Sequence, residues 1–398
     1  MKILLINPFF YPRKGGTERY AEELYYHLMQ EDKSIQVDVL TYNTNKAPEV
    51  EEYRGFTIYR VPCFEPLPGQ FALPNYLKLF VLLKKLKDNN YDFVNAHTRF
   101  FENSWWAPFV AKYLGAKSIL TDHCASHPEH TSYIVSKVSK FVDKNIAPRI
   151  SHLYDIVTVA SEATYSFTMK LGMKTSNVVY GGVDTQYFKP LKNIPVRKFA
   201  NINKKFNEDD IIVGFVGRMI QSKGPQILHE IALKLIRKYP HLHFVFAGGG
   251  EMYEKLSRTE NNNIYFLGSL EKPDVITTLQ QIDIFVHPSI HHEGFPMVLL
   301  EAGACGCAVI ATNKGGTKEL IIDDVTGRLV DATPEAIQEA LEKLINDEHK
   351  RKVFSKNLRT YIVKNFDWRQ IVKRFNGLLK GNILPLQLKK NKFLLNIK

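Results

Sequence analysis

Cysteine is scarce in this chain, with four in 398 residues. Cys63 and Cys124 stand alone, and Cys305 and Cys307 are one residue apart in an apolar passage. So few thiols exclude a disulfide framework. A single Cys-x-Cys, even with His287, His291 and His292 nearby, is a poor zinc signature beside reduced core thiols. Long hydrophobic runs are missing too. No uninterrupted apolar segment approaches the ~18 residues that span a bilayer. The apolar run Ile3 to Ile6 is too short for the core of a signal peptide and reads as a first strand. A protein made and kept in the cytosol is expected. Asp209-Asp210 and Asp323-Asp324 read as solvated turns, so no metal is expected.

Acid is absent from two segments of a chain whose net charge is +12. Residues 366–398 hold eight Lys or Arg against one acid, whereas 193–365 hold 22 against 21. The basic character is therefore local, which suits contact with an anionic surface. Residues 71–87, FALPNYLKLFVLLKKLK, carry four lysines and no acid. They predict an amphipathic helix lying on an anionic membrane. Phe100, Phe101, Trp105 and Trp106 add aromatic mass, and the tail from Lys380 adds five lysines with Phe393, Leu394 and Leu395. Peripheral docking on the inner face of the cell membrane is expected, the alternative being a core helix with a wet lysine edge and a disordered tail. No nucleic-acid reader motif accompanies these lysines, and no such partner is expected.

What is abundant is alternation of short apolar strands with helical patterns, the mark of α/β architecture with parallel sheets. Strands are expected at residues 2–6, 35–40, 56–61, 93–96, 117–121, 156–160 and 177–180, then at 211–216, 243–247, 264–267, 284–287 and 308–311. Helices are expected at 16–30, 225–238, 273–281, 296–304 and 334–346. A chain of this length exceeds one ordinary core, so two domains are expected, 1–190 and 191–365. The polar stretch 189–210 reads as their linker.

The chemistry is written most densely in His291–Thr312, HHEGFPMVLLEAGACGCAVIAT. Glu293 and Glu301 flank a Gly294-Phe295-Pro296 entry into a helix, with Pro296 at its first position. A helix N-terminus favours anions. Carboxylates beside it fit a ligand carrying hydroxyls at both ends of a phosphate, as a nucleotide sugar does. Gly217-Arg218 and Lys223-Gly224-Pro225 follow the strand 211–216. Arg218 and Lys223 could grip the diphosphate without metal. Gly15-Gly16-Thr17, after the first strand, leaves room for backbone amides to approach a ligand. Thr121-Asp122-His123 and Val94-Asn95-Ala96-His97 end two further strands with histidines.

The run Pro288-Ser289, Glu293-Gly294-Phe295-Pro296, Glu301-Ala302, Gly306, Gly315-Gly316 and Glu319 resembles the signature of glycosyltransferase family 4. The resemblance implies two Rossmann-like domains facing across a cleft, the GT-B fold, and retaining sugar transfer to a hydroxyl of a glycan or lipid-linked acceptor in cell-envelope or polysaccharide biosynthesis. It implies a UDP- or GDP-sugar donor and no cofactor. Glu293 would meet the donor sugar and Glu301 the ribose, while Arg218 and Lys223 would hold the diphosphate and Gly15 and Gly16 would approach the donor. His123 would meet the donor sugar or, with His97, the acceptor. The family's last helix, here about 366–380, would return to the first domain, leaving 381–398 as a basic tail. Gly181 replaces an asparagine of the family's turn before Gly182-Val183-Asp184. The alternative is a non-catalytic sugar-nucleotide or membrane-binding subunit of a glycan-assembly complex.

Overall fold

The structure is a computed structural model and describes residues 1–13, 15–127, 133–191, 197, 199, 202, 206–259 and 261–382. The basic tail beyond 382 lies outside the described residues. Two compact units emerge: Met1–Gly182 together with the stretch from Trp368, and Val183–Asp367.

The first unit contains β1 (Lys2–Ile6), β2 (Gln36–Tyr42), β3 (Val50–Tyr53), β4 (Phe56–Val61), β5 (Cys63–Leu67), β6 (Phe71–Pro74), β7 (Phe93–His97), β8 (Lys117–Asp122), β9 (Ile156–Val159) and β10 (Asn177–Val178). Eight of them form one sheet in the order β10-β9-β8-β7-β1-β2-β4-β3, and β5 and β6 form a separate antiparallel pair. Every sheet pairing is parallel except β3 with β4 at the edge. Both faces are covered, so β1 reads as a continuous apolar run and β7 is buried at every position, its Asn95 and His97 included.

The second unit contains β11 (Ile211–Val216), β12 (Leu242–Ala247), β13 (Ile264–Gly268), β14 (Ile284–His287), β15 (Ala308–Thr312) and β16 (Arg328–Val330). All six strands are parallel, in the order β13-β12-β11-β14-β15-β16. The strand order reverses between β1 and β7 in one unit and between β11 and β14 in the other. Ligands of open α/β sheets bind outside the carboxyl ends of strands at such reversals.

Several expectations are corrected. The break falls after Gly182 rather than Pro190. Val183 already donates to the Phe366 carbonyl at 2.9 Å, and the Thr185 hydroxyl donates to Asp367, so the chain joins the second unit at once. The stretch 189–210 is not simply a linker. Phe199 and Phe206 are buried edge to face, and Arg197 grips both oxygens of Asp283 at 2.7 and 3.0 Å. Asp210 is buried and accepts the Asn207 N–H at 2.7 Å, so it is no solvated turn. The helix expected over 71–87 begins only at Tyr76 and ends at Leu86, because residues 71–74 pair as β6 and Asn75 caps the helix by accepting the Lys78 N–H. Pro296 precedes the helix Met297–Cys305 as its cap residue with extended ψ, rather than opening it.

Glu348–Asn365, at 18 residues, carries no apolar stripe wide enough to flag it. Phe354, Leu358, Tyr361 and Ile362 are buried, and Gly303 permits the approach: a Cβ there would lie 2.5 Å from Ile362 and 2.6 Å from Leu358.

The helix Trp368–Leu379 packs along Gly16–Glu31 within the first unit. Trp368 stacks on His27 with centroids 5.6 Å apart, and Phe375 meets Tyr25 edge to face at 5.8 Å. Gly182 is the contact that lets the indole in, since a Cβ there would come 2.7 Å from the Trp368 ring. Gly182→Ala therefore overpacks a buried aromatic and should cost ~1–3 kcal/mol of stability, read as a lowered denaturation midpoint. An unchanged midpoint would show that Trp368 is not confined there.

Candidate functional site

Two loops leave the carboxyl ends of β11 and β14 in the second unit, and glycine lets them touch. Gly224 has φ +74, and a Cβ on it would sit 2.1 Å from the Pro288 carbonyl oxygen. The Ser222 carbonyl accepts the Ile290 N–H at 3.0 Å and the Ser289 hydroxyl at 3.2 Å. A third loop closes on them from β15. Gly316 donates to the Glu293 carbonyl at 2.9 Å, and a Cβ at Gly315 would lie 2.0 Å from that same oxygen. Phe295 anchors the far end against Phe366, centroids 5.7 Å apart.

Held this way, Glu293 accepts hydrogen bonds at both oxygens. The Lys223 ammonium meets Oε2, and His287 Nε2 lies 2.7 Å from Oε1. Burial alone would raise this carboxyl. His287 and Lys223 overcome it and hold Glu293 well below the usual carboxylate range. His287 Nδ1 is buried without a hydrogen-bond partner. Lys223 and Glu293, expected at different parts of a ligand, are thus paired, and His287 joins them. Arg218 is exposed and makes no side-chain hydrogen bond or ion pair among the described residues. Its loop is shaped by Gly248-Gly249-Gly250: a Cβ at Gly248 would strike the Gly217 carbonyl at 1.8 Å, and Met219 donates to the Gly249 carbonyl at 2.8 Å. Glu301 is 3 % exposed, on the inner face of the helix Met297–Cys305.

In the first unit, His97 and His123 end β7 and follow β8, and their rings stack 5.2 Å apart. Asn95 sets their tautomers. Its amide donates to the Ile119 carbonyl at 3.0 Å and the Ala96 carbonyl at 3.1 Å, so its Oδ1 must accept from His97 Nε2 at 3.0 Å. His97 Nδ1 then carries no proton and accepts from His123 Nε2 at 3.0 Å. That leaves the His123 Nδ1 lone pair unengaged among the described residues. Burial lowers the His123 pKa to about 4, and burial with the neighbouring imidazole drives His97 well below its ordinary value. Both are neutral at pH 7.

Arg99, which nothing in the sequence singles out, fixes the segment after His123. It is 1 % exposed, contacts Asp122 and Asp143, and donates to the Cys124 and Ser126 carbonyls at 3.2 and 3.1 Å. Breaking such a buried pair on one side leaves an uncompensated charge. Gly15 caps the helix Gly16–Glu31, and the Glu18 carboxylate folds over it, 2.1 Å from where a Cβ would lie. Gly16 meets nothing within 4 Å of its Cβ position. Cys305 and Cys307 are core thiols, and burial pushes Cys305 up to about 12. The sequence set His287 only beside a poor zinc pattern and did not reveal its pairing with Glu293, nor did it reveal Arg99, whose partners are 23 and 44 residues away.

The two imidazoles impose a pH dependence. Unfolded histidines take up protons near ~6.5, whereas folded His123 waits until about 4. Between these values the unfolded state binds more protons, so stability rises with pH, by at most ~1.4 kcal/mol per unit for each group. Glu102, raised by burial to about 7, works in the opposite direction, so the wild-type curve is a sum. Against wild type, His123→Asn should therefore lose less stability between pH 7 and about 5 by denaturant titration. Parallel curves would contradict the neutral, buried pair.

Comparison with known proteins gives these sites a context. The glycosyl transferases group 1 profile matches residues 196–361, and the Glycosyltransferase Family 4 profile matches residues 14–187. An uncharacterized glycosyltransferase of Methanocaldococcus jannaschii is 28% identical over 96% of this chain and 98% of its own length. The phosphatidylinositol N-acetylglucosaminyltransferase GPI3 subunit of Saccharomyces cerevisiae is 24% identical over 94% of this chain and 81% of its own length. Among solved structures, Anabaena HepE in complex with UDP superposes with a TM-score of 0.72 at 18% identity, over 96% of this chain and all of that one. WaaG, a glycosyltransferase involved in lipopolysaccharide biosynthesis, superposes with a TM-score of 0.67 at 16% identity, over 95% of this chain and all of that one. With matched segments in both units and a mainly parallel α/β sheet in each, this chain belongs to the group 1 glycosyltransferases of family 4 type, with the GT-B fold.

Proposed function

We propose that this glycosyltransferase moves a sugar, with retention of anomeric configuration, from a nucleoside diphosphate sugar to a hydroxyl of a glycan or lipid-linked acceptor. The observation that carries the reading is the half-buried Lys223–Glu293–His287 cluster, with Arg218 unpaired among the described residues five positions before Lys223. In the free protein Glu293 neutralises Lys223. An arriving diphosphate competes for that ammonium, and Arg218 adds a two-pronged grip. Glu293, still charged, is then released to accept a sugar hydroxyl. The anomeric C–O bond breaks as these cations stabilise the negative charge on the leaving diphosphate. The acceptor oxygen bonds to the anomeric carbon on the same face, and its proton passes to the departing phosphate. Neutral His123 offers its Nδ1 lone pair to an acceptor hydroxyl. It positions and need not take the proton. No metal is needed for this charge balance, and Glu301 receives the ribose. The likeness to a UDP-bound structure supports the donor class.

Donor binding is the first test. Removing a hydrogen bond to a charged group costs ~1.5–3 kcal/mol, so Glu301→Ala should weaken donor binding roughly 10- to 150-fold in a calorimetric titration. Equal affinity would remove Glu301 from the ribose. Radiolabelled sugar transfer to a lipid extract, with the product anomer assigned, tests catalysis and retention together. Donor binding without any transfer would favour the non-catalytic reading.

A lipid-linked acceptor places the protein on the cytoplasmic side, at the membrane's inner face. Supporting this are the relatives named for phosphatidylinositol and the helix Tyr76–Leu86. Leu79, Leu83 and Leu86 fix it to the core, while Leu77 is 81 % exposed and Phe80 53 %. Lys78, Lys84, Lys85 and Lys87 border this apolar face, as on helices that sit in anionic interfaces. In flotation, the protein should rise with vesicles rich in anionic lipid and not with neutral ones, and the double change Leu77→Glu, Phe80→Glu should abolish it. Flotation unaffected by that change would place the contact elsewhere.

A further inference from the structure

Asn95 is 0 % exposed inside β7, where a strand covered on both faces ordinarily carries an apolar side chain. Its amide is fully committed. Besides the two main-chain carbonyls that Nδ2 meets, Oδ1 accepts the Tyr25 hydroxyl at 2.6 Å as well as His97 Nε2 at 3.0 Å. Turning the amide over would set its oxygen against the Ile119 and Ala96 carbonyl oxygens, so its orientation is fixed. Burial holds the Tyr25 pKa well above its ordinary value, so that hydroxyl keeps its proton and donates.

His123, His97 and Asn95 thus form a relay of hydrogen bonds that all run in one sense. The relay ends at an amide oxygen, which takes up no proton. A proton arriving at His123 Nδ1 would therefore leave an imidazolium with no carboxylate bonded to it. Asp122, the neighbouring acid, is committed to the Arg99 guanidinium and main-chain N–H, and Asp143 to Arg99 and His127. The relay orients and does not conduct.

The ring at its open end is clamped as well. His97 is sealed from solvent, whereas His123 is partly exposed. The Tyr20 ring meets His123 edge to face at 4.6 Å, and its hydroxyl donates to the Val179 carbonyl at 2.7 Å. From the helix Trp368–Leu379, Trp368 backs Tyr20 at 6.3 Å and Phe375 backs Tyr25. A lone pair on a ring braced from two sides discriminates by hydrogen-bond sense: it accepts from a hydroxyl and repels an oxygen that has no proton to give.

We propose that Asn95 is a positioning residue for sugar transfer: acting through His97, it keeps His123 Nδ1 an acceptor, so that this atom takes a hydroxyl and refuses ether, ester and phosphate oxygens. Asn95 touches no substrate itself. The inference rests on the reading that His123 meets an acceptor hydroxyl.

Full-length protein labelled with 15N in its 13 histidines reports the protonation of each ring nitrogen by NMR. His97→Asn and His123→Asn assign the two rings by the signals they remove. From pH 8 to 6, both rings of the wild type should carry a proton on Nε2 and none on Nδ1. Asn95→Leu removes the acceptor below His97 and leaves the Tyr25 hydroxyl needing one, so the proton should move to Nδ1 on both rings. UDP-glucose, UDP-N-acetylglucosamine and GDP-mannose are then offered in turn with a lipid extract. At saturating donor, transfer by Asn95→Leu should fall about 2- to 10-fold, the worth of one oriented hydrogen bond, with calorimetric donor affinity unchanged. A protonated Nδ1 on wild-type His123 overturns the proposal even if the variant does not fold. So does a folded Asn95→Leu protein whose tautomers or transfer rate match wild type, or whose loss lies in donor affinity alone. Wild-type tautomers as stated, with no transfer from any of these donors, would instead sink the transfer reading beneath it.

Discussion

Backbone in contact with backbone is the constraint on which the second unit's site depends. At Gly224, Gly315 and Gly316 the next loop's carbonyl occupies the space a side chain would need, with 2.0 or 2.1 Å left for a Cβ. These contacts bring three loops from three strand ends to one point. Lys223, Glu293 and His287 are thereby kept close without a long side chain reaching for them. Charge does the rest. A buried carboxylate ordinarily takes up a proton, but two cationic or donating neighbours keep this one ionised. In the proposed reaction, an incoming diphosphate exchanges its own negative charge for that of Glu293 in this pair.

The first unit uses a different device. Its strand ends present neutral histidines whose proton positions are dictated from below by an amide, and the amide is fixed by main-chain carbonyls of the sheet. Positive charge there is consumed internally, since Arg99 is spent on Asp122 and Asp143. One unit therefore offers exchangeable charge and the other offers lone pairs. That division suits an anionic donor and an uncharged acceptor.

Much of the fold was legible in the sequence. Strands buried on both faces read as short apolar runs, so the ranges for β1, β11 and β14 fall where expected. Proline marks the start of Pro225–Lys238 and Pro334–Ile345. The pair β5 and β6 and the helix Glu348–Asn365 escaped. The pair is half exposed and lacks a buried run, and the helix is charged nearly all round its circumference. In the site, glycine and acid spacing pointed to the loops. What could not be read was pairing: the salt link of Lys223 with Glu293 spans 70 positions, and the relay from His123 to Asn95 exists only once the chain is folded.

A crystal structure grown with a nucleoside diphosphate sugar tests the central claim most directly. The account predicts the diphosphate within hydrogen-bonding distance of both Lys223 Nζ and the Arg218 guanidinium, with Glu293 turned from Lys223 to a sugar hydroxyl. A bound diphosphate remote from both cations, with the Lys223–Glu293 pair intact, would contradict it.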